Sequence, residues 1–129
     1  MDAVGNEVEP ARVLVVEDFG QLREMLVDGL AKAGFAVDGA GSVRQARGLH
    51  PEAYAVLVVD HRLGDGFGTD LFRELCERDE SVASRFIMMT ADPHRAELPT
   101  GVSVLVKPFR LAILVEAVRR IVASSCAER

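Results

Sequence analysis

VLVVED occupies residues 13–18, and VLVVD returns at 56–60. FIMMT at 86–90 and VLVK at 104–107 repeat the design with less valine. Each is a short run of β-branched, leucine or methionine side chains that stops at a charge or a hydroxyl. Unbroken apolar runs of this length fit strands buried on both faces, as in parallel sheets. The polar residue at the end of each run then has to be explained.

Between the runs, the apolar positions change period. Leu22, Met25, Leu26 and Leu30 recur at helical spacing, and Gly34 stands where that helix should stop. FAV at 35–37 reads as a second strand. Ser42 is placed to cap a short helix reaching Leu49, stopped by Pro51. VLVVD at 56–60 is the third strand, followed by the glycine-rich loop RLGDGFG and a helix marked by Leu71, Phe72 and Leu75. RFIMM at 85–89 and VSVLV at 102–106 read as the fourth and fifth strands. Leu111, Leu114, Val115, Val118, Ile121 and Val122 make the cleanest helical stripe. Strands alternating with helices predict an α/β fold, a five-stranded parallel sheet with helices on both faces. Right-handed crossovers place every strand C-terminus on one edge.

Composition narrows the function. The 129 residues, 49% of them hydrophobic, suit one domain with a sizeable core. The net charge of −5, with no Lys/Arg stripe, argues against direct nucleic-acid binding. No apolar run reaches membrane-span length, and the acidic start MDAVGNEVEP is unlike a signal peptide. Cys76 and Cys126 form no CxxC and read as reduced thiols, so a cytoplasmic setting is expected. Residues 1–10 read as a flexible arm, 11–123 as the domain and 124–129 as a tail.

In an open parallel sheet, ligands bind beyond the carboxyl ends of the strands. The residues there are Glu17, Asp18, Asp60, Thr90 and Lys107. Any one of them could be merely solvated, but three carboxylates, a hydroxyl and a lysine on one rim call for a joint role. Crowded carboxylates repel unless protonated or neutralised, and all-oxygen ligation suits Mg²⁺. A carboxylate can also act as a nucleophile and form an aspartyl-phosphate. Phosphoryl transfer needs chiefly positioning and charge neutralisation, which a metal, a lysine and a threonine hydroxyl supply.

The ordered set VLVVED, VLVVDHRLGDGFG, MMTAD and VLVKPF resembles the receiver domains of response regulators in two-component signalling. The resemblance covers residues 11–123. It implies a (βα)5 fold in flavodoxin-like order 2-1-3-4-5. It makes Asp60 the phosphoacceptor, with Asp18, Asp60 and the Arg62 backbone carbonyl as Mg²⁺ ligands and Glu17 acting through water. It has Thr90 and Lys107 contact the phosphoryl group and Arg62 and Asp92 tune its lifetime. The implied donor is a histidine kinase or phosphotransfer protein, and the Lys107–Pro108 bond is often cis in the family. On this reading the chain is not an enzyme beyond accepting and slowly losing a phosphoryl group.

Other readings fit less of the chain. GDGFG at 64–68 is neither a P-loop nor a dinucleotide fingerprint. His50, His61 and His94 lack metal-ligand spacing, and His61 reads as an exposed loop residue. Tyr54 reads as packing. An aspartyl-phosphate hydrolase lacks its DxD pair and cap, and a phosphorylation-independent pseudo-receiver has no need of the intact acidic set. Three features depart from the family. Gly64 replaces a common proline, and Val104 stands where an aromatic switch is usual. The short interval from Thr90 to Lys107, with Pro93 and Pro99, leaves the fourth helix short or absent. Nothing after the last helical stripe reads as a linker or output domain.

Overall fold

The structure, a computed structural model, describes residues 9–94 and 98–127. The strands are β1 (Arg12–Val16), β2 (Ala36–Ala40), β3 (Val56–Asp60), β4 (Phe86–Thr90) and β5 (Ser103–Val106). All neighbours pair parallel, in the order β2-β1-β3-β4-β5. The helices are α1 (Gly20–Lys32), α2 (Val43–Arg47), α3 (Gly68–Arg78) and α4 (Leu111–Ala127). This is the flavodoxin-like order expected.

The apolar runs alternate between two cores. Leu14, Val16, Leu57, Val59, Phe86 and Met88 face α2 and α3, where Leu71, Phe72 and Leu75 meet them. Phe72 and Phe86 pack edge to face with centroids 5.0 Å apart. Val13, Val15, Val56, Val58, Ile87 and Met89 face α1 and α4, against Leu26, Leu30, Leu114 and Val118. All the strand residues named are fully buried, each worth about 1.5–3 kcal/mol against exposure. The contact between α1 and α4 is close: a Cβ on Gly29 would lie 2.2 Å from Leu111.

Local chemistry sets the element ends. Gly34 adopts φ +105°, and the Gly34 and Phe35 N–H groups donate back to Ala31 and Leu30, which closes α1. Ser42 accepts from the Gln45 N–H, as its cap position predicted. Several boundaries differ from expectation. β2 continues to Ala40, because an edge strand tolerates the half-exposed Asp38 and Gly39. α2 stops at Arg47 rather than Leu49, and a 3-10 turn begins at Pro51. β4 starts at Phe86, since Arg85 ends a 3-10 helix and turns back to the carbonyls of Tyr54 and Glu52. The glycine-rich loop forms a small antiparallel hairpin, Arg62–Leu63 with Gly66–Phe67. α4 runs through 124–127, the start of the expected tail. Most of the expected arm, residues 1–8, lies outside the described residues.

Among the described residues no helix lies between Thr90 and Ser103. Leu98 and Val102 pack instead against the core on the α2–α3 side. No described helix is long and apolar enough to cross a membrane.

Candidate functional site

Strand register assembles the site. Val16 pairs with Val59, so Glu17 lies level with Asp60. Asp60 pairs with Met89, which puts Thr90 one step beyond it. Thr90 pairs with Val106, which puts Lys107 one step further. The five rim residues named from sequence therefore gather at one end of the sheet.

Glu17, Asp18 and Asp60 offer carboxylate oxygens that all lie within 4.8 Å of one another. Glu17 is 1% exposed and Asp60 8%, whereas Asp18 is open to solvent. The Lys107 ammonium donates to Glu17 Oε1 at 2.8 Å and to Asp60 Oδ2 at 3.1 Å. The Phe19 N–H donates to the other Glu17 oxygen at 3.1 Å. Burial alone would lower the pKa of Lys107. The bond to Glu17, with the charge and bond of Asp60, outweighs burial and holds the ammonium above the ordinary lysine range.

An open cavity of about 410 Å³ lies over Asp60, lined also by His61, Arg62, Thr90, Ala91, Asp92 and Lys107. Thr90 is buried, and its hydroxyl accepts from the Asp92 N–H at 3.1 Å. Asp92 in turn accepts from the His94 N–H. The backbone beyond Asp60 is held on both sides: the His61 N–H donates to the Met89 carbonyl, and the Gly68 N–H to the His61 carbonyl, both at 2.7 Å. Gly68 has to be glycine there, because a Cβ would fall 2.5 Å from the Asp60 carbonyl oxygen. Lys107–Pro108 is cis.

One expectation needs correction, and two residues carried no signal. His61 lies just past β3 as a loop residue, but it is half-buried rather than exposed. Its ring lies 5.6 Å from that of Phe67 at the cavity wall. Burial, helped by the Arg62 charge, lowers its pKa. Tyr54 packs as expected, but its hydroxyl also donates to Asp38 at 2.8 Å. Asp65, at the hairpin tip, was not singled out. Its two oxygens accept from the Val43 and Arg44 N–H groups, which caps α2 from a distant loop. Arg23, also missed, donates to the Glu17 carbonyl at 2.8 Å. Neither has a local sequence signature, since each acts across elements.

The donor set fits a hard divalent cation. Three carboxylates face one ammonium, and the hairpin carrying the Arg62 carbonyl passes beside them: a Cβ on Gly64 would lie 3.8 Å from Asp18. All-oxygen donors with excess negative charge suit Mg²⁺.

The sequence profile of the response regulator receiver domain matches residues 13–119. This chain belongs to that family. The receiver is 30% identical over 117 residues to the response regulator receiver protein CpdR of Brucella abortus, covering 84% of this chain and 94% of that protein. It is 34% identical to the transcriptional regulatory protein PrrA of Mycobacterium leprae, covering 87% of this chain but only 50% of that protein. The non-phosphorylated HemR receiver domain of Leptospira biflexa superposes with a TM-score of 0.78 at 28% identity, covering 88% of this chain and 94% of that one. A receiver domain from Clostridium thermocellum has a TM-score of 0.82 at 20% identity, covering 92% and 99%, a likeness of fold. The receiver is thus a signalling domain of two-component systems rather than an enzyme in the usual sense. Within that family its Val104 is a half-buried aliphatic side chain on β5, opposite Met88.

Proposed function

We propose that this receiver accepts a phosphoryl group on Asp60 from a phosphohistidine of a histidine kinase or phosphotransfer protein, and that the modification changes its binding to a downstream protein. The carrying observation is that Asp60, Thr90 and Lys107 line one cavity while Asp60 also belongs to the carboxylate cluster. A carboxylate oxygen of Asp60 attacks phosphorus, the O–P bond forms, and the P–N bond to the donor imidazole breaks. Asp18, Asp60 and the Arg62 carbonyl, with Glu17 through water, would hold Mg²⁺, which would supply charge neutralisation for the transferring group. Lys107 shifts from its carboxylates toward a phosphoryl oxygen, and the Thr90 hydroxyl donates to another. Arg62 and Asp92, both at the cavity wall, screen the acyl phosphate from in-line water. The setting is cytoplasmic.

An apolar groove lined by Leu22, Met25, Leu26, Pro108, Phe109 and Leu111 runs up to the site and shares Ala91 and Lys107 with the cavity. A donor has to bring its histidine to Asp60, so this groove is the surface on which it docks. Intact-mass measurement after incubation with acetyl phosphate and Mg²⁺ tests the reading. The expected result is one phosphate adduct on the wild type and none on Asp60→Ala. An unmodified wild type, or an adduct that survives the substitution, overturns it.

A further inference from the structure

We propose that Arg23 is a positioning residue for the cation site, acting through the peptide that joins Glu17 to Asp18. The proposal rests on the reading of the carboxylate cluster as a Mg²⁺ site. Arg23 Nη1 donates to the Glu17 carbonyl at 2.8 Å, six residues back from the second turn of α1. That carbonyl belongs to the peptide linking the buried carboxylate to the exposed one. The same residue is held from the other direction, because the Glu17 N–H donates to the Ala40 carbonyl at 3.0 Å. The Phe19 N–H closes onto the Glu17 side chain. Together these contacts fix the orientation in which Asp18 leaves the strand.

The surroundings are shaped for the arginine. A Cβ on Gly39 would sit 3.3 Å from Arg23 Cγ and Cδ, and one on Gly41 would sit 3.0 Å from Nη1. Gly20 lies on its other side, where a Cβ would be 3.7 Å from Nη2. Glycines therefore leave the channel through which the half-buried side chain reaches the site. Helix stability does not account for it, since a cation in the early turns of a helix opposes the macrodipole. Its planar fork suits a fixed carbonyl better than a flexible ammonium does.

Positioning and simple electrostatics make opposite forecasts. A cation near three carboxylates repels Mg²⁺, so losing its charge alone tightens metal binding. Losing an outer partner that orients a ligand weakens it, commonly by 10- to 100-fold. The experiment is calorimetric Mg²⁺ titration of the unphosphorylated chain as wild type, Arg23→Met, Arg23→Lys and Gly41→Ala. Positioning predicts roughly tenfold weaker binding in Arg23→Met. It also predicts partial recovery in Arg23→Lys and a smaller loss in Gly41→Ala, which keeps the arginine but crowds it. At saturating Mg²⁺ the phosphorylation rate of Arg23→Met should return to near wild type. Arg23→Lys and Gly41→Ala carry the test if Arg23→Met fails to fold. Unchanged or tighter Mg²⁺ binding in the folded variants overturns the role of Arg23 and leaves the proposed function standing. A wild type that binds no Mg²⁺ overturns both.

Discussion

Lys107 reaches Glu17 and Asp60 together, so it offsets carboxylate charge that a bound divalent cation would share with it. Lys107→Met leaves two buried carboxylates without their cation. Stability without metal should fall by about 1–3 kcal/mol, the usual cost of stranding a buried polar group. Added Mg²⁺ should restore most of it, and phosphorylation should be lost. Urea titrations with and without Mg²⁺ check this; a loss that Mg²⁺ does not repair counts against the account. The pH dependence follows from the raised pKa of the lysine. A group charged more tightly when folded contributes fully below its unfolded pKa, about 10.4 for lysine, and loses that contribution as pH rises through the folded value. The lysine's share of stability should therefore stay flat across neutral pH and disappear only in strong alkali. Asp60, Thr90 and Lys107 were legible in the sequence because each ends, or directly follows, an apolar run. His61 was read as exposed because nothing local in the sequence shows Phe67 folding back against it.

The segment after Asp60 is the element on which the site depends most. Gly68 opens α3 directly against the Asp60 backbone, so Gly68→Ala forces the two apart. The expected cost is about 1–3 kcal/mol, with slower phosphorylation because the acceptor itself moves. Urea unfolding and phosphorylation kinetics measure the two effects, and a variant as fast as wild type would deny the coupling. Three residues earlier, Asp65 caps α2, and the Val43 and Arg44 N–H groups lower its pKa. A lowered carboxylate pKa contributes above its unfolded value and fades as pH falls through the folded one. Asp65→Asn should accordingly speed amide exchange at Val43 and Arg44 at neutral pH while Asp60 remains a phosphoacceptor. Unchanged exchange at those amides would show that the cap is dispensable. The strands and long helices were readable because periodicity and Gly34 mark them. The hairpin was not, since its two-residue strands carry no periodicity and it is closed by the bond from the Gly68 N–H to the His61 carbonyl. That no helix lies between Thr90 and β5 among the described residues was readable from Pro93 and Pro99, which leave no helical stripe there.

At the scale of the molecule, the question is which parts respond when Asp60 is modified. A modification shifts an equilibrium only through contacts that differ between two states. α4 offers little freedom: Leu114 and Val118 are fully buried, and Leu111 is locked over Gly29. Val104 is aliphatic, so no ring can swing inward from β5. Two segments adjoin the proposed acceptor site. Residues 61–68 follow Asp60 and reach α2 through Asp65. Residues from Ala91 follow Thr90, whose hydroxyl accepts from the Asp92 N–H, so a shift of that hydroxyl toward the proposed phosphoryl group would pull on this segment. We expect phosphorylation to alter amide exchange in 61–68, in α2 and in 91–94, with α4 nearly unchanged. A partner that reads the modified state should contact these segments and the adjacent face of α1. Hydrogen exchange with and without beryllofluoride, together with sedimentation over a range of concentrations, separates this from output through α4. Protection confined to α4, with dimerisation that grows with concentration, would refute the loop route and assign output to the last helix.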